Sequence, residues 1–267
     1  MDINSAKLVY FSPTNTTKKV VEGIAEGIQV ETVEDLDLTP PEAGTRQYEE
    51  IHDGLAIIGT PVYGGRVPMD AVRRLERLKG NDTPAVVVVV YGNREYEDAL
   101  IELKDLVSQA GFKPVAGGVF IGEHSFANET TPIAMGRPDS EDLNKAREFG
   151  KMIRDKLRDI QALDDMPPLH VPGNSPYKER GKPSKESMAT QEALCTKCET
   201  CAAVCPTAAI TVEDTVMTDP MACIYCCACI KNCPTGARFM ESPPLIEKAK
   251  WLHTNYSKRK EPEMYLT

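Results

Sequence analysis

The chain has 267 residues, a formal net charge of -9 and a pI near 5.1. This length allows one large or two modest domains. The acidic balance disfavours nucleic acid and anionic membranes as partners and suits a basic protein partner. Nine cysteines, eight of them in a repeated spacing, argue against a disulfide framework and for a reducing compartment. The N-terminus has no signal-peptide pattern and the longest apolar run, 85–91, has only strand length, so we expect a soluble, cytoplasmic protein.

The first segment predicts a strand, a polar loop and a helix. Residues 6–11 are apolar, and apolar residues recur at helical spacing between Val20 and Ile28. The loop between them carries the candidate phosphate-binding residues Ser12, Thr14, Asn15, Thr16 and Thr17. Backbone N–H groups at a helix start, together with hydroxyls, form a phosphate cradle. The same residues are also good helix caps, so both interpretations stay open.

Four further strands are predicted downstream, and they alternate with amphipathic helices. The strands lie near 29–36, 54–59, 85–91 and 114–121, with a short helix within 39–53. Helices follow the third and fourth strands, and one over 140–160 closes the domain. Continuously apolar strands between amphipathic helices indicate a parallel sheet covered on both faces. We predict an α/β fold with a flavodoxin-like, doubly wound, five-stranded parallel sheet, whose ligand site lies at the carboxyl ends of the strands.

Three loops leave the carboxyl ends of the first, third and fourth strands and should meet in one crevice. Beyond the first loop, the candidate cofactor-binding residues are Pro61, Val62, Tyr63, Gly64, Gly65, Tyr91, Gly92, Asn93, Arg94 and Tyr96. Together the loops resemble the flavodoxin family, which implies FMN, with its phosphate in the first loop and its ring between Tyr63 and Tyr96. Asn15 stands where the family has glycine, and asparagine tolerates a left-handed backbone. The tyrosines also suit ordinary partly buried positions, and the glycines plain turns.

The segments after the fifth strand predict a long loop and then a linker. The loop over 122–138 is longer than a compact unit needs, so it is a candidate lid or partner surface. Its His124 fits a structural histidine better than a catalytic base. Residues 161–190 are rich in proline, including Pro183, and form either a tether or a strap packed on the first domain. A tether would let the following module serve its own subunit or a second one, so a homodimer is possible.

The same cysteine pattern occurs twice, 28 positions apart. It reads C-x2-C-x2-C-x3-C-P, and its cysteines are Cys195, Cys198, Cys201 and Cys205, then Cys223, Cys226, Cys229 and Cys233. The first three cysteines of such a run can bind one face of an iron–sulfur cluster, while the fourth cysteine binds the neighbouring cluster. We therefore expect crossed ligation. Cluster I takes Cys233 with the first three cysteines of its own motif, and cluster II takes Cys205 in the same way. Two four-cysteine zinc sites are the alternative.

This duplicated segment closely resembles the bacterial two-cluster ferredoxin over about residues 190–241. The resemblance implies a small α+β domain holding two [4Fe-4S] clusters, whose binding should supply much of its folding energy. Cys227 lies outside the repeated spacing and suits a buried apolar filler. A helix over 245–256 should follow, with Trp251 packing between domains, and then a solvated basic cluster over 258–260.

The combination resembles the flavodoxin–ferredoxin fusion proteins of anaerobic bacteria and archaea. We predict an FMN domain over 1–160, a linker over 161–190, a two-cluster domain over 191–242 and a terminal helix and tail over 243–267. Clusters pass single electrons and a flavin holds one or two, so the expected function is electron transfer between soluble redox proteins. A flavin-dependent reductase of a small oxidant such as a quinone, fed by the clusters, is the alternative. A redox sensor is a third possibility.

Overall fold

The computed structural model describes residues 3–181 and 185–267, so Pro183 lies outside the described residues. The N-terminal part alternates strands and helices. Its strands are β1 (Ser5–Tyr10), β2 (Thr32–Asp37), β3 (Leu55–Pro61), β4 (Thr83–Tyr91) and β5 (Phe112–Ile121). Its helices are α1 (Thr16–Ile28), α2 (Met69–Leu75), α3 (Ala99–Gln109) and α4 (Ser140–Asp159). The short helix expected within 39–53 is a 3₁₀ turn, Pro41–Gly44.

Five strands form a parallel sheet in the order β5-β4-β3-β1-β2. This is the flavodoxin-like doubly wound order, so the predicted fold class is confirmed. A sixth strand, β10 (Glu263–Leu266), lies antiparallel to β5 at the edge of the sheet. The sequence analysis did not predict this strand. The tail of the chain therefore returns to the sheet in which the chain began.

The core lies on both faces of the sheet, because β3 and β4 are buried along their whole length. One face packs against α1 and α4, and the other against α2 and α3. The first pair of helices approaches closely at two glycines. A side chain on Gly27 would lie 2.0 Å from the carbonyl oxygen of Arg147, and one on Gly150 would lie 2.1 Å from that of Ile24. Glycine is needed at this helix crossing because a Cβ would have no room.

The described part of the linker packs along the α/β domain. Leu169 is buried in the core on the α3 side of the sheet. The carboxylate of Asp98 accepts hydrogen bonds from the backbone N–H groups of Asn174 and Lys178 at 2.8 and 2.6 Å. Arg180 shares the buried carboxylate of Glu102 with Arg66, at 2.5 and 2.7 Å. Of the two interpretations left open, these contacts support a packed strap.

The cysteine region is a small α+β unit built from short elements. Strands β6 (Ala189–Thr190) and β9 (Arg238–Phe239) pair, as do β7 (Ile210–Val212) and β8 (Val216–Thr218). Each of two four-residue helices, α5 (Thr200–Ala203) and α6 (Ala228–Lys231), follows the first cysteines of a motif. A third hydrophobic cluster, separate from the two on the faces of the sheet, packs within this unit and includes Met188.

The C-terminal helix α7 (Pro243–Tyr256) packs against the cysteine unit through Leu245, Ala249 and Leu252. Trp251, expected to pack between domains, is instead 50% exposed and touches Tyr256 edge-on. The basic cluster is also not merely solvated. Arg259 pairs with Asp139 at 2.7 Å, and Lys260 pairs with Glu95 at 2.6 Å. These residues hold the segment between α7 and β10 against the α/β domain. No helix in the described ranges is long and apolar enough to cross a membrane.

Candidate cofactor sites

The predicted loops meet in one cavity of about 870 Å3 at the carboxyl ends of β1, β3 and β4, which we call the large cavity. Of the candidate cofactor-binding residues, those that line it are Thr14, Thr16, Pro61, Val62, Tyr63, Gly64, Tyr91, Gly92 and Arg94. The cavity lies where a doubly wound sheet binds its ligand. The three loops therefore converge as the sequence predicts.

The first loop both caps α1 and faces the cavity. Asn15 has φ 62°, the left-handed conformation expected where it replaces glycine. The Ser12 hydroxyl accepts a hydrogen bond of 3.0 Å from the backbone N–H of Lys18, so Ser12 caps the helix and does not line the cavity. Thr17 is fully buried, and its Oγ1 has no hydrogen-bond partner among the described residues. An unpaired buried hydroxyl at a helix start, beside two cavity-lining threonines, fits an anionic phosphate ligand.

The second loop makes a tight turn, in which the N–H of Tyr63 donates to the carbonyl of Arg66 at 3.0 Å. Burial raises the pKa of the Tyr63 phenol well above its usual value, and the nearby Cys226 and Cys227 add to this effect. Tyr63 therefore stays protonated and lies between the cavity and the second cysteine motif. Gly65 does not line the cavity. A Cβ at this position would lie 1.6 Å from the carboxylate of Glu97.

Two predicted residues of the third loop serve the C-terminal segment instead of the cavity. The Asn93 amide donates to the carbonyls of Tyr256 and Lys258 at 2.5 and 2.9 Å. The Tyr96 hydroxyl donates a hydrogen bond of 2.9 Å to the Glu263 carboxylate. Neither Asn93 nor Tyr96 lines the cavity. The added β10 strand explains this placement, because it brings the tail beside the third loop. The structure therefore does not bring Tyr96 to the position of a ring-stacking residue.

The cavity also has a wall that the site prediction lacked. It is formed by Gly122, Glu123, His124, Ser125, Phe126, Ile224, Tyr225, Lys248 and Leu252. The length of the 122–138 loop was the one sequence signal for part of this wall. Residues from the cysteine unit and α7 could not be found from local sequence, because only tertiary folding brings them here. Arg94 and Lys248 add positive charge to the lining, and Lys231 pairs with Glu123.

His124 is held as a neutral imidazole with a defined tautomer. Its Nδ1 accepts a hydrogen bond of 3.0 Å from the backbone N–H of Phe126, so the ring proton belongs on Nε2. Burial, with the positive charges of Lys248, Arg94 and Lys231, lowers the pKa of His124 to about 4. The ring packs on Gly92, where a Cβ would lie 2.5 Å from Cδ2. His124 therefore presents an N–H donor and no charge at neutral pH.

The eight motif cysteines are divided between two further cavities of about 320 Å3 each. The first is lined by Cys195, Cys198, Cys201 and Cys233, and the second by Cys205, Cys223, Cys226 and Cys229, together with Cys227 from outside the repeated spacing. These are the two crossed sets that the spacing predicts. Within the described ranges, no three His, Cys, Asp or Glu side chains converge as the ligands of one ion do. Each set of four motif cysteines lines one cavity, and four thiolates are the donor set of an iron–sulfur cube.

The backbone repeats the duplication seen in the sequence. Positive φ angles occur at Lys197, Glu199 and Ala208 (55°, 59° and 51°). They recur 28 positions later at Tyr225, Cys227 and Gly236 (58°, 58° and 67°). Such turns direct backbone N–H groups toward sulfur. The N–H of Lys197 lies 3.4 Å from Sγ of Cys195, and that of Ala209 lies 3.3 Å from Sγ of Cys205. N–H groups directed at sulfur are one means by which a protein stabilises a cluster.

The two cysteine sets differ in their distance from solvent. Cys198 of the first set is exposed. Cys205, Cys226 and Cys229 of the second set are buried, and burial raises the pKa of Cys226 to about 12. Cys227 lies beside the second set, and its Sγ points to the carbonyl of Tyr225 at 3.6 Å. It is buried in the hydrophobic cluster of the cysteine unit, as expected of an apolar filler.

The loop between Cys223 and Cys226 belongs to two sites at once. Ile224 lines both the large cavity and the second cysteine cavity. Its neighbour Tyr225 also lines the large cavity. The candidate flavin site and the second cysteine site therefore share a wall within one chain.

Residues 190–211 match the protein-family model described as "4Fe-4S binding domain". The chain therefore combines a flavodoxin-like doubly wound fold with a segment, 190–211, that is similar to 4Fe-4S binding domains. No curated protein matches the chain significantly in sequence.

Similar solved structures correspond to the α/β part of the chain. One is a flavodoxin from the domain Archaea, at 15% identity, covering 58% of this chain and 99% of its own, with a TM-score of 0.37. Another is the Streptococcus pneumoniae TIGR4 flavodoxin, at 18% identity, 57% and 99% coverage and a TM-score of 0.39. A third is the rubredoxin oxygen:oxidoreductase of Desulfovibrio gigas, at 13% identity, 58% and 36% coverage and a TM-score of 0.41.

Proposed function

We propose that the chain is an electron-transfer iron–sulfur flavoprotein. FMN occupies the large cavity, and each cysteine cavity holds one [4Fe-4S] cluster. When bound, the clusters exchange single electrons and the flavin holds one or two, so the protein links one-electron to two-electron redox chemistry. The observation that carries this proposal is the wall at Ile224, which the large cavity and the second cysteine cavity share.

The cavity lining supports a flavin in a defined orientation. Thr14, Thr16 and the start of α1 bind the phosphate, and the unpaired Thr17 hydroxyl is available as a further donor. Tyr63 supplies aromatic surface for the ring. The Nε2–H of His124 is available to donate a hydrogen bond within the same lining.

The exposed side of the first cysteine cavity supports a docking surface for a redox protein. The apolar side chains of Leu194, Met217 and Phe239 are 45%, 56% and 37% exposed. Each is next in sequence to a residue that lines that cavity. Close to Leu194 in sequence, Glu192 and Glu199 are exposed, as is Lys197 between them. Exposed apolar side chains at the first cysteine cavity, in a chain with a net charge of -9, suit a soluble redox partner with a basic face.

Anaerobic rapid mixing of the fully loaded protein with reduced low-potential ferredoxin, followed by flavin absorbance, tests the proposal. We expect ferredoxin to reduce the flavin, with a rate that falls as ionic strength rises. We expect Cys195→Ser to slow this reaction at least tenfold, and Cys227→Ala, at the buried cysteine that lies outside the repeated spacing, to leave it near the wild-type rate. A normal rate in Cys195→Ser would contradict the carrier function. Fast reduction by NAD(P)H would favour the reductase of a small oxidant instead.

A further inference from the structure

Arg238 is a buried arginine that lines the first cysteine cavity and contacts a sulfur of the second set. It is 3% exposed and lines the first cavity beside Cys195, Cys201 and Cys233. Its Nη2 lies 3.8 Å from Sγ of Cys229, which lines the second cavity. One guanidinium therefore lies between the two sets of sulfurs.

The other partners of Arg238 carry no charge. Nη1 donates to the Thr190 hydroxyl at 2.5 Å, and Nη2 donates to the Thr218 hydroxyl at 2.7 Å. Nε is buried and has no partner among the described residues. Of the other buried arginines that the structure describes, Arg66 and Arg137 each pair with a carboxylate, and Arg74 donates to three backbone carbonyls. In the described part of the chain, no carboxylate lies within salt-bridge distance of Arg238.

A buried guanidinium with an unpaired Nε and no counter-charge is unfavourable, so this position favours an anion. The four thiolates of an iron–sulfur cube outweigh the charge of its core, so each cluster is an anion. Two such anions on either side of one guanidinium would neutralise it. Each added electron increases the negative charge beside the fixed cation, which favours the reduced state.

We propose that Arg238 is the shared counter-charge of both clusters and raises the reduction potential of each. This inference rests on the proposed cluster sites. It assigns Arg238 a positioning and tuning role, since its side chain acts on the ligand sulfurs and on the charge of the clusters. The two hydroxyl partners, Thr190 and Thr218, hold the guanidinium in place.

Potentiometric titration of the two clusters, monitored by electron paramagnetic resonance, tests the role of Arg238. Arg238→Met removes the charge and Arg238→Lys retains it. Arg73→Met, at an exposed arginine of α2, changes the net charge equally and serves as control. We expect Arg238→Met to lower the reduction equilibrium constant of both clusters at least tenfold, which is about 59 mV for one electron. Arg238→Lys should lie nearer to wild type, and Arg73→Met should match wild type.

Iron and sulfide content is measured on every variant, which separates this inference from the proposed function. Wild-type protein without two clusters would contradict the proposed function itself. Unchanged potentials in a fully loaded Arg238→Met would overturn the tuning role, and a shift in only one cluster would overturn the shared role. If Arg238→Met does not load its clusters, Arg238→Gln against Arg238→Lys makes the same comparison. Equal potentials in that pair would overturn the proposal, and a lower potential in Arg238→Gln would support it.

Discussion

Arg74 of α2 donates a hydrogen bond of 2.5 Å to the carbonyl of Pro206, the residue after Cys205. The same guanidinium donates to the carbonyls of Leu38 and Thr39 at 2.6 and 2.7 Å and lies over the ring of Phe11. It is 4% exposed. One side chain therefore joins the core of the α/β domain to the turn that carries Cys205 of the second cysteine set.

Arg74→Met should loosen this junction. The substitution leaves three carbonyls without their donor, so we expect a loss of about 3 kcal/mol in the free energy of unfolding. We also expect slower reduction of the flavin through the clusters, because the wall at Ile224 is held less firmly. Differential scanning calorimetry and rapid mixing measure the two effects. Arg73→Met, its exposed neighbour on α2, is the control, and equal behaviour of the two variants would contradict the role of Arg74.

Thr17→Val should have opposite effects on the protein with and without FMN. Without FMN, a methyl group replaces a buried, unpaired hydroxyl, so stability should be unchanged or higher by about 1 kcal/mol. With FMN, the loss of a hydrogen bond to the phosphate should weaken binding about tenfold or more. Fluorescence titration of the apoprotein and its thermal unfolding provide the two readings. Thr17→Ser retains the hydroxyl and should bind FMN almost as the wild type does. If Thr17→Val binds FMN as tightly as the wild type, the hydroxyl does not contact the phosphate.

The crossed cysteine sets predict which cluster each substitution perturbs. Cys233 belongs to the second motif in sequence but lines the first cavity. Cys233→Ala should therefore alter the same spectroscopic signal as Cys195→Ala and leave the signal altered by Cys223→Ala intact. Electron paramagnetic resonance of the reduced variants, with iron counts, makes this comparison. A shared signal for Cys233→Ala and Cys223→Ala would mean that each motif binds its own cluster.

The pKa of His124 predicts a pH dependence of stability. This pKa is lowered from its ordinary 6.5 to about 4, so between these values the unfolded chain binds a proton that the folded chain does not. Stability from this residue is complete above pH 6.5 and is lost as the pH falls toward 4. From pH 7.5 to 5.5 the loss should be about 1 kcal/mol.

Thermal unfolding of the loaded protein at the two pH values measures this loss. His124→Gln, which has no titrating group, should lose about 1 kcal/mol less than the wild type over the same interval. An equal loss in the two proteins would show that the ring is already protonated in the folded state or is exposed.

The parts of the site that sequence could predict are those fixed by neighbouring residues. Asn15 adopts the left-handed turn that its place in the first loop requires, and the C-x2-C-x2-C-x3-C spacing divides the cysteines between two cavities. The alternation of buried strands and amphipathic helices likewise predicted a doubly wound parallel sheet.

The parts that sequence could not predict depend on residues far apart in the chain. Asn93 and Tyr96 follow a strand as cofactor-binding residues do, yet they bond to Tyr256 and Glu263. Strand β10 has only four residues and no strong pattern, so its pairing with β5 depends on an edge that exists only after folding. Trp251 is exposed because Leu252, one position away, occupies the buried face of α7.

The return of the tail to the sheet restricts how the iron–sulfur region can move. The chain enters this region from a packed strap and leaves it through α7 into β10, so both of its ends are tied to the same α/β domain. A unit held at both ends cannot swing between a distant donor and the flavin, as a carrier on a free tether does. In the proposed electron carrier, exchange within the molecule is then a unimolecular event whose rate does not depend on protein concentration, and only the encounter with a redox partner is limited by diffusion.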